Sequence, residues 1–321
     1  MASTAVAQAW GRGVWPGHAT TMPARDRPGK HAANTAKRAV SGCAIVGAAP
    51  APDIAGMKLP TLFIPHGGGP CFFMDPAGGL PDPMWRPMQA YLAGLIASLP
   101  ERPRAILLVS GHWETPELAI NTGDGHPLDY DYFGFPAHTY RLDWPSHGDP
   151  ALAQRVSALL ADAGIAHHGE ERGWDHGVFI PMMVAVPGAD IPLVQLSLRA
   201  DLDPAGHIAI GRALAPLRDE GVLIVGSGMS FHNLRARGPQ VTPIAAAWDV
   251  ALTAAVTDPD PVARAARVAA WDTLPNARFA HPEAEHLLPL MVALGAGGED
   301  AAICDYRDVV LGWAVSGYRF G

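Results

Sequence analysis

Five histidines stand where a chain could gather imidazoles around one point: His66, His112, His176, His232 and His286. The first four follow or lie within glycine-containing turns, and His286 comes after the acidic pair Glu283 and Glu285. Neutral imidazole suits Zn²⁺, Fe²⁺, Cu²⁺ and Ni²⁺, whereas Mg²⁺ and Ca²⁺ prefer oxygen ligands. The spacing is long-range, with no His-Glu-x-x-His helix, so a shared site requires the fold to bring distant turns together. Any one of the five could equally be an ordinary hydrogen-bonding histidine. His126, His138, His147, His167, His168 and His207 read that way, in polar loops or on helix surfaces, and His281 reads as a loop or capping histidine.

The supports for such a site are apolar strands. Residues 59–65 form a stiff run that ends at His66 and is followed at once by Gly67, Gly68 and Gly69. Residues 105–110 form a second such run, leading into Gly111-His112-Trp113. Helical spacing of Trp85, Met88, Tyr91, Leu92, Leu95, Ile96 and Leu99 joins them, which predicts parallel neighbours linked by a crossover. In open α/β sheets, ligands bind beyond the carboxyl ends of the strands, so His66 and His112 belong on one rim. Further strands are expected at 117–122, 165–168, 191–198, 222–226 and 311–320, and helices at 151–163, 204–220, 243–257 and 261–274. The last apolar run, to Leu294, reads as a helix with Pro289 in its first turn and His286 just before it. The expected fold is α/β: one domain with a central, mostly parallel sheet flanked by helices, and the metal site at the strand ends.

Composition narrows the class. A formal charge of −8 argues against a general nucleic-acid binder. Three widely spaced cysteines form no disulfide framework or CxxC site and fit a reducing, cytoplasmic setting. No apolar run approaches the ~20 residues needed to cross a bilayer. Residues 1–56 differ from the rest, with six basic and two acidic side chains. They read as a disordered or targeting leader, or as a segment upstream of a true start at Met57, which leaves 57–321 as the catalytic domain. Between Tyr130 and Pro136 the chain is aromatic. Tyr130, Phe133 and Trp174 are candidates for a substrate pocket wall, or for a packed loop closing the core.

Several stretches together resemble class III (LigB-type) extradiol ring-cleavage dioxygenases, of the DOPA-4,5-dioxygenase branch. They are Phe63-Ile64-Pro65-His66-Gly67-Gly68-Gly69-Pro70, Ser110-Gly111-His112-Trp113, Tyr130 through Pro136, Trp174-Asp175-His176-Gly177, the run from Gly226 to Leu234, the run from His281 to Leu290, and Ser316-Gly317-Tyr318-Arg319-Phe320. They cover nearly all of 58–320 in the family's order. The triple glycine after His66 departs from the Gly-Ser-Pro of many members, so Gly68 is a candidate substrate contact.

The resemblance implies one divalent metal held by His66, His112 and His286, with Fe(II) for activity and Zn(II) able to occupy the same ligands. It implies His232 as general base, near enough to serve as a fourth ligand, and His176 as a hydrogen-bond partner of a substrate hydroxyl or of oxygen. The partners would be a small aromatic catechol and O2, with no nucleic acid or membrane, in a monomer or homodimer. Asp175 could orient His176 or cap its turn, and Glu283 and Glu285 could support the metal ligands. A zinc hydrolase using His232 as proton shuttle, or a non-catalytic metal-binding relative, are the alternatives on the same fold.

Overall fold

The computed structural model describes residues 58–321, apart from Leu80 and His126; the readings of residues 1–56 and of a start at Met57 lie outside the described residues. In chain order the elements are β1 (Thr61–Pro65), α1 (Arg86–Ala93), β2 (Ala105–Thr115), β3 (Leu118–Asn121), α2 (Pro150–Asp162), β4 (His167–Glu170), α3 (His176–Ala185), β5 (Leu193–Arg199), α4 (Pro204–Leu214) and β6 (Val222–Gly228). There follow α5 (Thr242–Val256), α6 (Pro261–Ala269), α7 (Ala277–Ala280), α8 (Leu288–Gly297), β7 (Ala302–Val310) and β8 (Trp313–Phe320). They form an eight-stranded sheet in the order β4-β3-β5-β2-β6-β1-β8-β7, flanked by helices. The four central strands, β5, β2, β6 and β1, run parallel to one another. Strand β3 pairs antiparallel with β5, and β8 antiparallel with β1 and β7. The expected α/β fold with a mostly parallel sheet is what the chain forms.

Apolar side chains on both faces decide which strands lie at the centre. Every residue of β1 and β6 is buried, as fits strands covered by helices on both sides. The wholly buried α8 packs on β1, β6 and α4. Helices α2, α4 and α6 share one start signal, Asp followed by Pro. Asp149, Asp203 and Asp260 each accept a backbone N–H of the first turn at 2.9 Å, while the proline supplies a preset φ where no N–H is needed.

The sheet also departs from the sequence expectation. Strands β1 and β2 are parallel but not neighbours, because β6 lies between them and pairs with both. Burial on both faces gives a strand from late in the chain as good a claim to the centre as its local neighbours. The helix expected over 85–99 is broken into a 3₁₀ turn, α1 and a second 3₁₀ turn, with Pro87 at its start and Gly94 at its end. Helix α3 forms where only a loop entering an apolar segment was expected, and it encloses Pro181. Strand β7 was not expected at all. It is an edge strand in which Asp305, Arg307 and Asp308 interrupt the apolar residues, so no apolar run marks it.

Candidate metal and acid–base site

Each of the five histidines is delivered by a different device. His66 is the first residue after β1, and its N–H bonds the carbonyl of Gly228 at the end of β6 at 3.2 Å. His112 lies not after β2 but inside it, where the register with β5 shifts between Val109 and Glu114. Such a bulge re-aims a side chain. Behind it, the fully buried Asp175 accepts from Ser110 Oγ at 2.7 Å and from Gln195 Nε2 at 2.5 Å, and Ser110 Oγ in turn accepts the His112 N–H at 3.2 Å. His176 opens α3. His232 sits in the turn after β6, its N–H bonded to Ala280 O at 3.0 Å. His286 stands two residues before α8, and its carbonyl accepts the Met229 N–H at 3.0 Å.

These devices converge. The rings of His66, His112 and His286 have centroids 4.6–5.2 Å apart, and one ring nitrogen from each lies within 4.8 Å of the others. His112 Nε2 and His286 Nε2 are 3.1 Å apart. His232 stacks on His286 with centroids at 3.4 Å, and His176 packs beside His112 at 3.9 Å. His66 is 1 % exposed, yet neither of its ring nitrogens has a hydrogen-bond partner. Leaving a buried polar group unpaired costs about 1–3 kcal/mol, so two such atoms on one ring point to a ligand. Burial, then the neighbouring imidazoles, hold His66 well below its ordinary pKa; burial and His232 bring His286 down to about 4. Both are thereby kept neutral, the form that binds a metal. The donor set fits a divalent ion of borderline softness.

Two carboxylates lie against the cluster. Glu285 Oε1 accepts from His286 Nδ1 at 2.8 Å and from His232 Nδ1 at 3.1 Å. Asp131 Oδ1 accepts from His176 Nδ1 at 2.7 Å and from the His176 N–H at 2.9 Å, while Oδ2 lies 3.3 Å from His112 Nδ1. Burial would raise both carboxyls, but the imidazoles outweigh it and hold them below the ordinary range. For His176, burial would lower the pKa and Asp131 outweighs it, so the shift is upward.

Glu285 therefore occupies the supporting position considered for it, and Glu283 is exposed. Asp175 holds the strand that carries His112, while Asp131 holds His176. Sequence reasoning passed over Asp131; its only signal is a carboxylate set between Tyr130 and Tyr132 in an aromatic run. His281 is buried and donates Nε2–H to Ser230 O at 2.9 Å, which ties it to the turn carrying His232.

The pocket-wall candidates are more scattered. Tyr130 packs on Tyr140 and Phe179 and donates its hydroxyl to Leu142 O at 2.5 Å. Tyr132, its neighbour, is the residue whose ring faces His176, with centroids at 5.7 Å. Phe133 is 52 % exposed, and Trp174 is fully buried, so Trp174 has no surface for a ligand; its backbone pins the aromatic loop through Asp129 N and Gly125 O. Gly68 is half-buried between two glycines whose missing side chains the protein itself needs. Gly67 has φ +84°, and a Cβ there would meet Cys71 Sγ at 2.4 Å; Gly69 has φ +50°, and a Cβ would meet the Phe135 ring at 2.9 Å. Those two glycines let the turn close under the aromatic loop. The space where their side chains would stand is filled by Cys71 and Phe135.

Comparison with known proteins follows the same outline. The family described as the catalytic LigB subunit of aromatic ring-opening dioxygenase matches residues 60–316. A dioxygenase of Hapsidospora irregularis, tasH, is 37 % identical over 286 residues, covering 82 % of this chain and 85 % of that one. A 4,5-DOPA dioxygenase extradiol of Beta vulgaris is 39 % identical, covering 75 % of this chain and 88 % of its own. The protein of the same description from Escherichia coli K12 is 35 % identical over 74 % of this chain and 85 % of its own. A crystal structure of an uncharacterised Escherichia coli K12 protein superposes with TM-score 0.66 at 30 % identity, covering 82 % of this chain and all of that one.

Proposed function

The chain belongs to the family of the catalytic LigB subunit of aromatic ring-opening dioxygenase, and we propose that it opens a catechol-type ring outside its two hydroxyls, taking up both atoms of O2. DOPA, caffeate or a related catechol is the substrate in this reading, with residues 57–321 as the catalytic domain. The widely spaced thiols support a cytoplasmic setting, and among the described residues no helix is long and apolar enough to cross a membrane.

The observation that carries the reading is His66, buried with both ring nitrogens unpartnered beside His112 and His286. These three residues would hold one divalent metal and leave positions open for other ligands, as in a facial triad. Fe(II) bound there would supply a centre able to pass electron density from a catecholate to O2, chemistry that redox-inert Zn(II) lacks.

The remaining work falls to this chain's own side chains. His232, 18 % exposed and stacked on His286, takes the proton of a substrate hydroxyl and later returns it. His176, whose proton affinity Asp131 raises, donates a hydrogen bond to the second hydroxyl or to oxygen. Tyr132, itself buried, packs its ring against His176 and holds that imidazole in place. Loading the chain anaerobically with Fe(II), then adding DOPA or caffeate and air, should consume O2 in step with a yellow product. Turnover confined to the Zn(II) form, and to esters or amides, would replace ring cleavage by hydrolysis.

A further inference from the structure

Among the described residues, four of the five imidazoles are served by two carboxylates, and the sharing follows a pattern. Glu285 contacts His286, assigned above to the metal, and His232, assigned to proton transfer. Asp131 contacts His112, assigned to the metal, and His176, assigned to the substrate hydroxyl. We propose that Asp131 and Glu285 are positioning residues: Glu285 sets the tautomers of His286 and His232 at once, and Asp131 sets that of His176 while its second oxygen lies against His112. The role names rest on the proposed function; the tautomers rest on geometry alone.

An ionised carboxylate has no proton to give, so an imidazole nitrogen bonded to it must carry the hydrogen. Those bonds are made by Nδ1 in His176, His232 and His286, while His112 Nδ1 lies 3.3 Å from Asp131 Oδ2. Each of the three bonded rings, when neutral, is therefore the Nδ1–H tautomer with its lone pair on Nε2. For His286 this leaves an Nε2 lone pair 3.1 Å from His112 Nε2, free to accept a hydrogen bond from that ring or to bind a cation. For His232 it leaves Nε2 as the nitrogen able to accept a hydroxyl proton, and for His176 it leaves Nε2 as the nitrogen not held by Asp131. His66 stands outside the pattern, with no partner on either nitrogen. The four imidazoles and two carboxylates thus form two units, His112–Asp131–His176 and His286–Glu285–His232. Loss of one carboxylate disturbs a ligand and a proton carrier together and spares the other unit.

The test is imidazole ¹⁵N NMR on the full chain without metal, at a pH where the rings are neutral, joined to Zn(II) affinity by chelator competition. Native protein should show the Nδ1–H tautomer at His176, His232 and His286. Asp131→Leu, which removes both acceptor oxygens at similar volume, should release the tautomer of His176 and leave those of His232 and His286. Glu285→Met should release those of His232 and His286 only. Each should weaken Zn(II) binding by about 10- to 100-fold, the usual effect of losing such a partner. An Nε2–H tautomer at His176 or His286 in the native chain overturns the proposal, and so does an equal response of all three rings to either variant. The native spectrum decides the matter even where a variant fails to fold. No catechol or O2 is used, so failure here and failure of the ring-cleavage reading are seen separately.

Discussion

Among the five clustered histidines, position relative to the carboxylates separates the roles. His66 has no partner, so its removal takes away a ligand and little else. His66→Ala should abolish stoichiometric metal binding, as read by metal analysis after gel filtration, with the fold intact by circular dichroism. His232 contacts Glu285 and the His286 ring without completing the close trio of nitrogens. His232→Ala should retain the metal and lose turnover by on the order of 100-fold or more, the range for removing a general base. Loss of metal from His232→Ala would make it a fourth ligand.

Elements place these residues through backbone contacts that no residue type announces. Asp175 and Ser110 brace the bulge in β2, and the turn 66–70 closes only because Gly67 and Gly69 lack Cβ atoms. Gly69→Ala should lower stability by about 1–3 kcal/mol, the cost of overpacking a filled site, since its Cβ meets the Phe135 ring at 2.9 Å and φ is +50°. The denaturation midpoint checks this, and catechol affinity should fall with it, because Phe135 packs on Tyr132 with ring centroids at 5.4 Å. An unchanged midpoint would mean that the aromatic loop moves aside freely.

Across the molecule, the opposite end of the sheet carries an anchor separate from the site. Arg218 is buried and donates to the carbonyls of Leu59 at 2.6 Å and Ala296 at 3.0 Å, and to Asp300 at 2.5 Å, tying the entry of β1 to the end of α8. Arg218→Met should cost about 1–3 kcal/mol through unpaired buried carbonyls while leaving the metal affinity of the folded protein unchanged. Burial would raise the Asp300 carboxyl, but Arg218 and Lys58 outweigh it and lower the pKa. A lowered carboxyl stabilises above its unfolded pKa and loses that contribution as pH falls through the folded value. The stability gap between native protein and Asp300→Asn should therefore be present at neutral pH and close under acid, as followed by thermal melts from pH 7 downward.

Much of this was legible in the chain alone, for a physical reason. Apolar runs covered on both faces must become central strands, and histidines beside glycine turns at strand ends belong on one rim. The five histidines and the α/β class follow from such local rules. What the tertiary structure decided concerns pairing at long range. It set β6 between β1 and β2, turned residues 176–185 into a helix, and made a strand of 302–310 at the edge. It also gave Asp131 to His176 and His112, and filled the space beside Gly67 and Gly69 with Cys71 and Phe135. A carboxylate's partner depends on which loops cross above the sheet. A glycine's missing side chain makes room, and only packing decides what fills it.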